Sequence, residues 1–153
     1  MIQDPQTYVE DIRTRGTELE GKDVTLKGWV YNYRTSGKLV FLQLRDGTGI
    51  IQCVISAKEI PPAAWEAASA FTQETAVVVR GKVSKDARSP IGYEIHTKDL
   101  VTVGTSVDYP ITPKDHGVAF LMDHRHLWLR STRQWAALRV RHTIEKADRK
   151  SVV

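Results

Sequence analysis

Five segments in the first two thirds of the chain are rich in apolar and β-branched residues, and the first three alternate apolar with polar positions. A period of two is typical of half-buried β-strands. One intervening segment is rich in helix-forming residues and follows two prolines, which a first helical turn tolerates. The pattern predicts a helix over residues 63–73 and strands over residues 24–31, 39–45, 50–56, 76–84 and 93–97, the last extended by residues 100–103.

Turn-forming residues separate these segments. Asp46-Gly47-Thr48-Gly49 predicts a tight hairpin between the second and third strands, and Thr35-Ser36-Gly37 predicts the preceding turn. Three strands, one helix and two strands within about 80 residues match the OB-fold, an all-β five-stranded Greek-key barrel with one helix between strands 3 and 4. A β-sandwich with an additional helix is the alternative. We expect residues 1–22 to be a polar lead-in with at most a short strand or turn.

The hydrophobic period becomes helical in the last third of the chain. Residues 105–117 contain Tyr109-Pro110-Ile111-Thr112-Pro113, whose two prolines favour an extended linker. Beyond it, residues 131–134 have the spacing of a capping box, and apolar residues then recur at helical spacing at Ala137, Val140, Ile144 and Ala147. The sequence therefore predicts a C-terminal α-helical segment after the barrel.

Composition excludes several classes of protein. Of the 153 residues, 41% are hydrophobic and 26% charged, so the chain can bury a core. It contains no apolar run of about 18 residues that could span a membrane, and no readable signal peptide. The single cysteine, Cys53, cannot form an internal disulfide. We expect a cytoplasmic protein in which Cys53 is an inert core residue.

The net charge of +4 is unevenly distributed. Residues 1–104 carry 13 basic and 13 acidic residues, whereas residues 105–153 carry nine basic and five acidic ones. Within the neutral part, residues 22–45 hold five basic residues against one aspartate. A local basic patch of this kind suits a polyanionic partner.

Strand parity places an aromatic ring and an amide on the outer surface of the predicted barrel. Alternate apolar residues of strand two share the core face, so Phe41 lies on the opposite face with Gln43 and Arg45. The same argument turns Gln52 of strand three outward. The predicted core-facing residues are Val40, Leu42, Leu44, Ile51, Cys53 and Ile55.

Phe41 and Gln52 should therefore lie close together, with the cations Arg34 and Lys38 on the preceding strand and turn. Single-stranded nucleic acid is bound by such a set, because a ring stacks on a base, an amide reads a base edge and cations contact phosphate. The four histidines of the last third lack metal-ligand spacing with cysteines, and no catalytic motif is present. These residues indicate a binding function.

Two separated motifs resemble a known family. Gly28-Trp29-Val30, Arg34, Gly37-Lys38, residues 41–49 and Ile51-Gln52 resemble the anticodon-binding domain of class IIb aminoacyl-tRNA synthetases, the aspartyl, asparaginyl and lysyl enzymes. Residues 109–117 and 120–131 are similar to the hinge and entry of the asparaginyl type in particular. The resemblance covers residues 8–147 approximately.

The resemblance implies that the domain reads an anticodon. Phe41 matches the family's phenylalanine that stacks on the central uracil, Gln52 the glutamine that reads its edge, and Arg34 an arginine that contacts the anticodon. With Lys38 and Arg45, these residues are the expected nucleic-acid-binding set, and no metal or catalytic residue is expected. The implied partner is the anticodon loop of tRNA-Asn.

The resemblance also implies a division of the chain. Residues 1–104 would be the OB-fold tRNA anticodon-binding domain, residues 105–117 the hinge linker, and residues 118–153 a truncated start of the class II synthetase catalytic domain. The family ligates asparagine to its tRNA with ATP and Mg²⁺, but its ATP and amino-acid motifs lie downstream of these residues. We therefore expect no cofactor in this chain and no ligase activity from it alone.

Two other functions stay open at this point. One is a stand-alone OB module that binds single-stranded nucleic acid without base preference. The other is a fragment that forms a homodimer or pairs with a full-length synthetase through residues 118–147, because Trp128, Leu129 and Trp135 leave apolar bulk in that segment.

Overall fold

The structure is a computed structural model that describes residues 5–112 and 114–150, with no side chain described for Lys150. The chain divides into two compact units between Val107 and Asp108. The helices are α1 (Val9–Leu19), α2 (Pro62–Ser69), α3 (Val118–Asp123), α4 (Arg125–Trp128) and α5 (Thr132–Lys150). The strands are β1 (Asp23–Ser36), β2 (Leu39–Arg45), β3 (Ile50–Ser56), β4 (Ala76–Lys85) and β5 (Tyr93–Gly104).

The five strands close into a barrel in the order β1-β2-β3-β5-β4. All neighbouring pairs are antiparallel except β3 and β5, which run parallel and pair Cys53 with Ile95 and Val54 with His96. Helix α2 connects β3 to β4. The predicted five-stranded OB-fold, with one helix between strands 3 and 4 and helices after the barrel, is confirmed.

The predicted strand parity is also confirmed. The six residues predicted to face the core are at most 1% exposed, namely Val40, Leu42, Leu44, Ile51, Cys53 and Ile55. Burial, with a smaller contribution from the nearby Glu94 charge, raises the pKa of the Cys53 thiol. Because a raised pKa disfavours the reactive thiolate, Cys53 acts as a small apolar core residue.

Strand β1 is longer than its sequence pattern predicts, since it continues to Ser36. Its first half pairs with β4 and its second half with β2, and a bulge lies between Val30 and Asn32 at the changeover. A bulge inserts one extra residue and bends the strand, which lets one strand serve two sides of a barrel. Tyr31 is that extra residue, and its side chain lies on the outer surface near β2.

Helix α1 contradicts the expectation of a polar lead-in with at most a short strand or turn. The helix start has a local cap, in which the Asp11 carboxylate accepts the Tyr8 N–H at 2.8 Å, and a second cap supplied from 37 residues away. The Asp46 carboxylate accepts the Val9 N–H at 2.8 Å, and the Thr48 hydroxyl oxygen accepts the Glu10 N–H at 3.1 Å. Side-chain caps stabilise a helix start, but a cap from the β2–β3 turn leaves no signal in the local sequence.

The second unit contains the predicted C-terminal helix, α5, and two shorter helices that the pattern did not predict. In the linker predicted at 105–117, the described residues 105–112 and 114–117 form neither helix nor strand. Pro113, residues 1–4 of the expected lead-in and residues 151–153 of the expected third segment lie outside the described residues. Among the described helices, none has the length and apolar character needed to cross a bilayer.

Candidate nucleic-acid interface

A groove of about 780 Å³ lies on the outer surface of the barrel, across β1, β2, β3 and β5. It is closed at one side by the β4–β5 loop, which contributes Asp86, Arg88, Ser89 and Pro90. The strand residues that line it include three of the predicted contact residues, Arg34, Phe41 and Gln52. The structure therefore brings the predicted ring, amide and one cation together.

Phe41 and Arg34 are in contact in this groove. They are directly opposite each other on β2 and β1, and the guanidinium carbon of Arg34 lies 4.4 Å from the centroid of the Phe41 ring. This is a cation–π contact on a solvent-facing strand surface. Because a guanidinium and a nucleobase are both planar, the contact marks this ring face as accessible to a flat group.

Gln52 is held by a carboxylate on the neighbouring parallel strand. Its Nε2 atom donates a hydrogen bond to Glu94 Oε2 at 3.0 Å. The other carboxylate oxygen, Oε1, lies 3.0 Å from Nε2 of His96, which is half-exposed. Glu94 itself has only 12% of its side chain exposed. The amide thus belongs to a short chain of three polar side chains along the floor of the groove.

Arg45 was expected to bind nucleic acid, but its guanidinium forms an ion pair within the protein. Its guanidinium donates two hydrogen bonds to Glu74, at 2.9 and 2.7 Å, and the side chains are 13% and 3% exposed. The same guanidinium lies 5.7 Å from the Tyr31 ring and 6.0 Å from the Trp29 ring. Arg45 therefore forms a largely buried ion pair and lies close to two aromatic rings.

Lys38 lies in the tight turn between β1 and β2, next to Gly37, whose φ of +57° favours glycine. Its side chain is exposed, and its backbone carbonyl accepts the Ala57 N–H at 3.0 Å. Among the described residues, neither Lys38 nor Arg45 belongs to the lining of the groove. Lys38 therefore lies outside the groove, in the turn that precedes β2.

Sequence reasoning missed several groove residues, most importantly Tyr31, Glu94 and His96. Tyr31 follows the buried Val30, so alternation alone turns it outward, whereas the bulge shifts the parity of the residues after it and places Arg34 on the same face. Glu94 and His96 alternate with the buried Ile95 and Thr97, so parity alone turns them outward. What the sequence could not show is that β5 lies beside β3, which brings Glu94 to Gln52.

Two histidines of the second unit pack against one aromatic ring. His116 and His124 both lie against the Phe120 ring, with centroid distances of 4.7 and 4.3 Å. Within residues 5–112 and 114–150, no group of three His, Cys, Asp or Glu side chains converges as a metal site.

The barrel fold and its outer groove are typical of a nucleic-acid-binding OB domain, and comparison with known proteins shows the family. The family described as the OB-fold nucleic acid binding domain matches residues 24–103, so the chain belongs to this family. An asparagine–tRNA ligase of Symbiobacterium thermophilum is 53% identical over 130 residues, covering 85% of this chain and 30% of the ligase. The barrel is accordingly an anticodon-binding OB domain of the asparaginyl-tRNA synthetase type.

Solved structures support the same assignment. Asparaginyl-tRNA synthetase from Pyrococcus horikoshii superposes with a TM-score of 0.87 at 34% identity, over 99% of this chain and 36% of that chain. The Entamoeba histolytica asparaginyl-tRNA synthetase gives a TM-score of 0.73 at 32% identity, over 87% of this chain and 32% of that chain. The chain thus spans about a third of the length of these relatives.

Proposed function

We propose that the barrel binds the anticodon loop of tRNA-Asn in the groove across β1, β2, β3 and β5. The observation that carries this proposal is the grouping of the outward Phe41 ring, the Gln52 amide and the Arg34 guanidinium in one groove. Anticodon recognition would be this chain's share of an asparagine–tRNA ligase reaction, which is the activity named for its relatives. Single-stranded RNA loops expose unstacked bases, which proteins recognise by stacking and by base-edge hydrogen bonds.

In this proposal the central base of the anticodon stacks on the Phe41 ring. Arg34, which covers that ring at 4.4 Å, moves from the ring to a neighbouring phosphate or stacks on the far side of the base. The exposed Lys38 contacts the backbone beyond the hairpin turn. Since these contacts replace condensed counterions, affinity should fall as salt rises.

Arg45 has a supporting part in the proposal. Its donors are directed at Glu74, so its contribution to RNA binding is a positive potential and a fixed position for the Tyr31 ring, 5.7 Å away. A ring held in place loses less conformational entropy when a ligand binds.

Replacing Gln52 by alanine is expected to reduce the preference for uracil over cytosine at the central anticodon position. The amide shares the groove with the Phe41 ring and can read a base edge, and discrimination by such a contact is worth about 1–3 kcal/mol. Filter binding with two anticodon stem-loops that differ only at this base measures the preference.

The control for this experiment is Gln43→Ala, on the neighbouring strand directly opposite Gln52. Gln43 is exposed and also lines the groove, so its removal tests whether any amide there has the same effect. Equal affinity of the unaltered chain for the two loops would contradict base reading and would favour a binder of single strands without base preference.

The second unit supports a separate proposal, self-association through α5. Val140 and Ile144 lie on one face of this helix and are 61% and 63% exposed. Exposed apolar side chains at helical spacing are typical of an interaction surface. A second copy of the chain or a longer synthetase chain would cover them.

Light scattering at several protein concentrations tests this proposal. We expect a mass that rises with concentration, and a monomer when Ile144 is replaced by glutamate. His142→Glu adds the same charge on another face of α5 and should leave the association unchanged. A chain that is monomeric at every concentration would contradict the proposal.

A further inference from the structure

We infer that Glu94 fixes the orientation of the Gln52 amide and thereby determines which pyrimidine the groove prefers. Glu94 is in this view a positioning residue that acts through Gln52. The inference rests on the proposed function, because it explains how the base edge would be read.

The first step concerns the two ends of the amide. Glutamine carries a carbonyl oxygen that accepts hydrogen bonds and an NH₂ group that donates two. An ionised carboxylate only accepts, so the end of Gln52 that faces Glu94 must be the NH₂ group. The Nε2 to Oε2 distance of 3.0 Å shows this arrangement. One N–H is thus used by Glu94, and the other N–H and the carbonyl oxygen stay available.

The second step concerns how firmly Glu94 is held. Its other oxygen is 3.0 Å from His96 Nε2, and only 12% of its side chain is exposed. The backbones of β3 and β5 are paired at Cys53 and Ile95, both of which are fully buried. The carboxylate therefore has a fixed place beside Gln52, and turning the amide over would place two acceptors against each other.

The third step concerns the base. Uracil presents an N3–H donor beside a carbonyl acceptor, whereas cytosine presents an N3 acceptor beside an amino donor. An amide can match either edge, since turning it over exchanges its donor and acceptor. With its NH₂ group fixed toward Glu94, Gln52 offers its oxygen to N3–H and its second N–H to the adjacent carbonyl. That arrangement matches uracil and opposes cytosine.

Glu94→Gln is the direct test, because a glutamine at this position can accept or donate and so allows Gln52 to turn over. Filter binding is measured with anticodon stem-loops that carry uracil or cytosine at the central position. We expect the unaltered chain to prefer uracil by about tenfold or more. In E94Q the ratio should fall to about threefold or less, chiefly because the cytosine loop binds more tightly.

One further variant separates orientation from charge. Glu66→Gln removes the same charge from the exposed surface of α2, outside the groove, and should keep the ratio of the unaltered chain.

The possible outcomes test the inference separately from the proposed function on which it rests. An E94Q chain that keeps the full ratio while Gln52→Ala loses it would overturn the inference and leave anticodon reading intact. A ratio that falls as far in Glu66→Gln as in E94Q would show that loss of a negative charge, and not release of the amide, lowers the preference, and would overturn the inference as well. No preference in the unaltered chain would overturn the proposed function and the inference together.

Discussion

Phe41→Ala is expected to weaken binding to the anticodon stem-loop of tRNA-Asn by about 1–3 kcal/mol, or about 5- to 150-fold. Alternation along β2 turns this ring away from the core and into the groove, and the Arg34 guanidinium carbon lies 4.4 Å from its centroid. Removing it takes away one stacked base and also the partner of the Arg34 guanidinium. Equilibrium filter binding at fixed salt measures the loss.

The matched control is Phe41→Tyr, which keeps a ring of nearly the same size and should bind within about twofold of the unaltered chain. Because Phe41 lies outside the core, Phe41→Ala should change the free energy of unfolding far less than a core truncation such as Leu42→Ala. An alanine variant that is folded and binds with unchanged affinity would remove Phe41 from the interface.

Arg45→Met is expected to lower the free energy of unfolding by about 3–5 kcal/mol. The cause is the Glu74 carboxylate, which is 3% exposed and would lose its two charge-assisted hydrogen bonds at 2.9 and 2.7 Å. Removing one member of a buried ion pair takes away the opposite charge that offsets the desolvation of the other, which costs more than the pair contributes. Urea denaturation followed by circular dichroism measures the change.

The double variant Arg45→Met with Glu74→Gln is the control, since it removes the buried charge together with its partner and should regain much of the lost stability. This pair of measurements also separates two roles for Arg45. If Arg45→Met is as stable as the unaltered chain but no longer binds RNA, the ion pair is unimportant for stability and Arg45 acts in binding.

Much of the barrel could be predicted because strand parity and turn chemistry are local properties. The residues of β2 and β3 alternate between core and surface, and Asp46-Gly47-Thr48-Gly49 defines their connection. Phe41 and Gln52 were therefore placed correctly on the outer face. Helix α1 could not be predicted in the same way, because its first two N–H groups are capped by Asp46 and Thr48.

The rest of the candidate site depends on contacts between residues far apart in the sequence. Arg45 lies on the outer face of β2, as predicted. Its partner Glu74, however, comes from the segment before β4, 29 positions along the chain. Glu94 reaches Gln52 only because β5 inserts beside β3, a pairing between residues 42 positions apart. Charge and parity indicate which side chains face outward, whereas topology decides which of them meet.

The central claim, that the Phe41 ring stacks on the middle base of the anticodon, is tested most directly by a double-mutant cycle. The unaltered chain and Phe41→Ala are each titrated with the normal stem-loop and with one that lacks the central base but keeps its sugar and phosphate. Stacking predicts that the two changes are not additive, with a coupling free energy of about 1–3 kcal/mol. Additive losses, with a coupling near zero, would mean that the ring and the base do not meet.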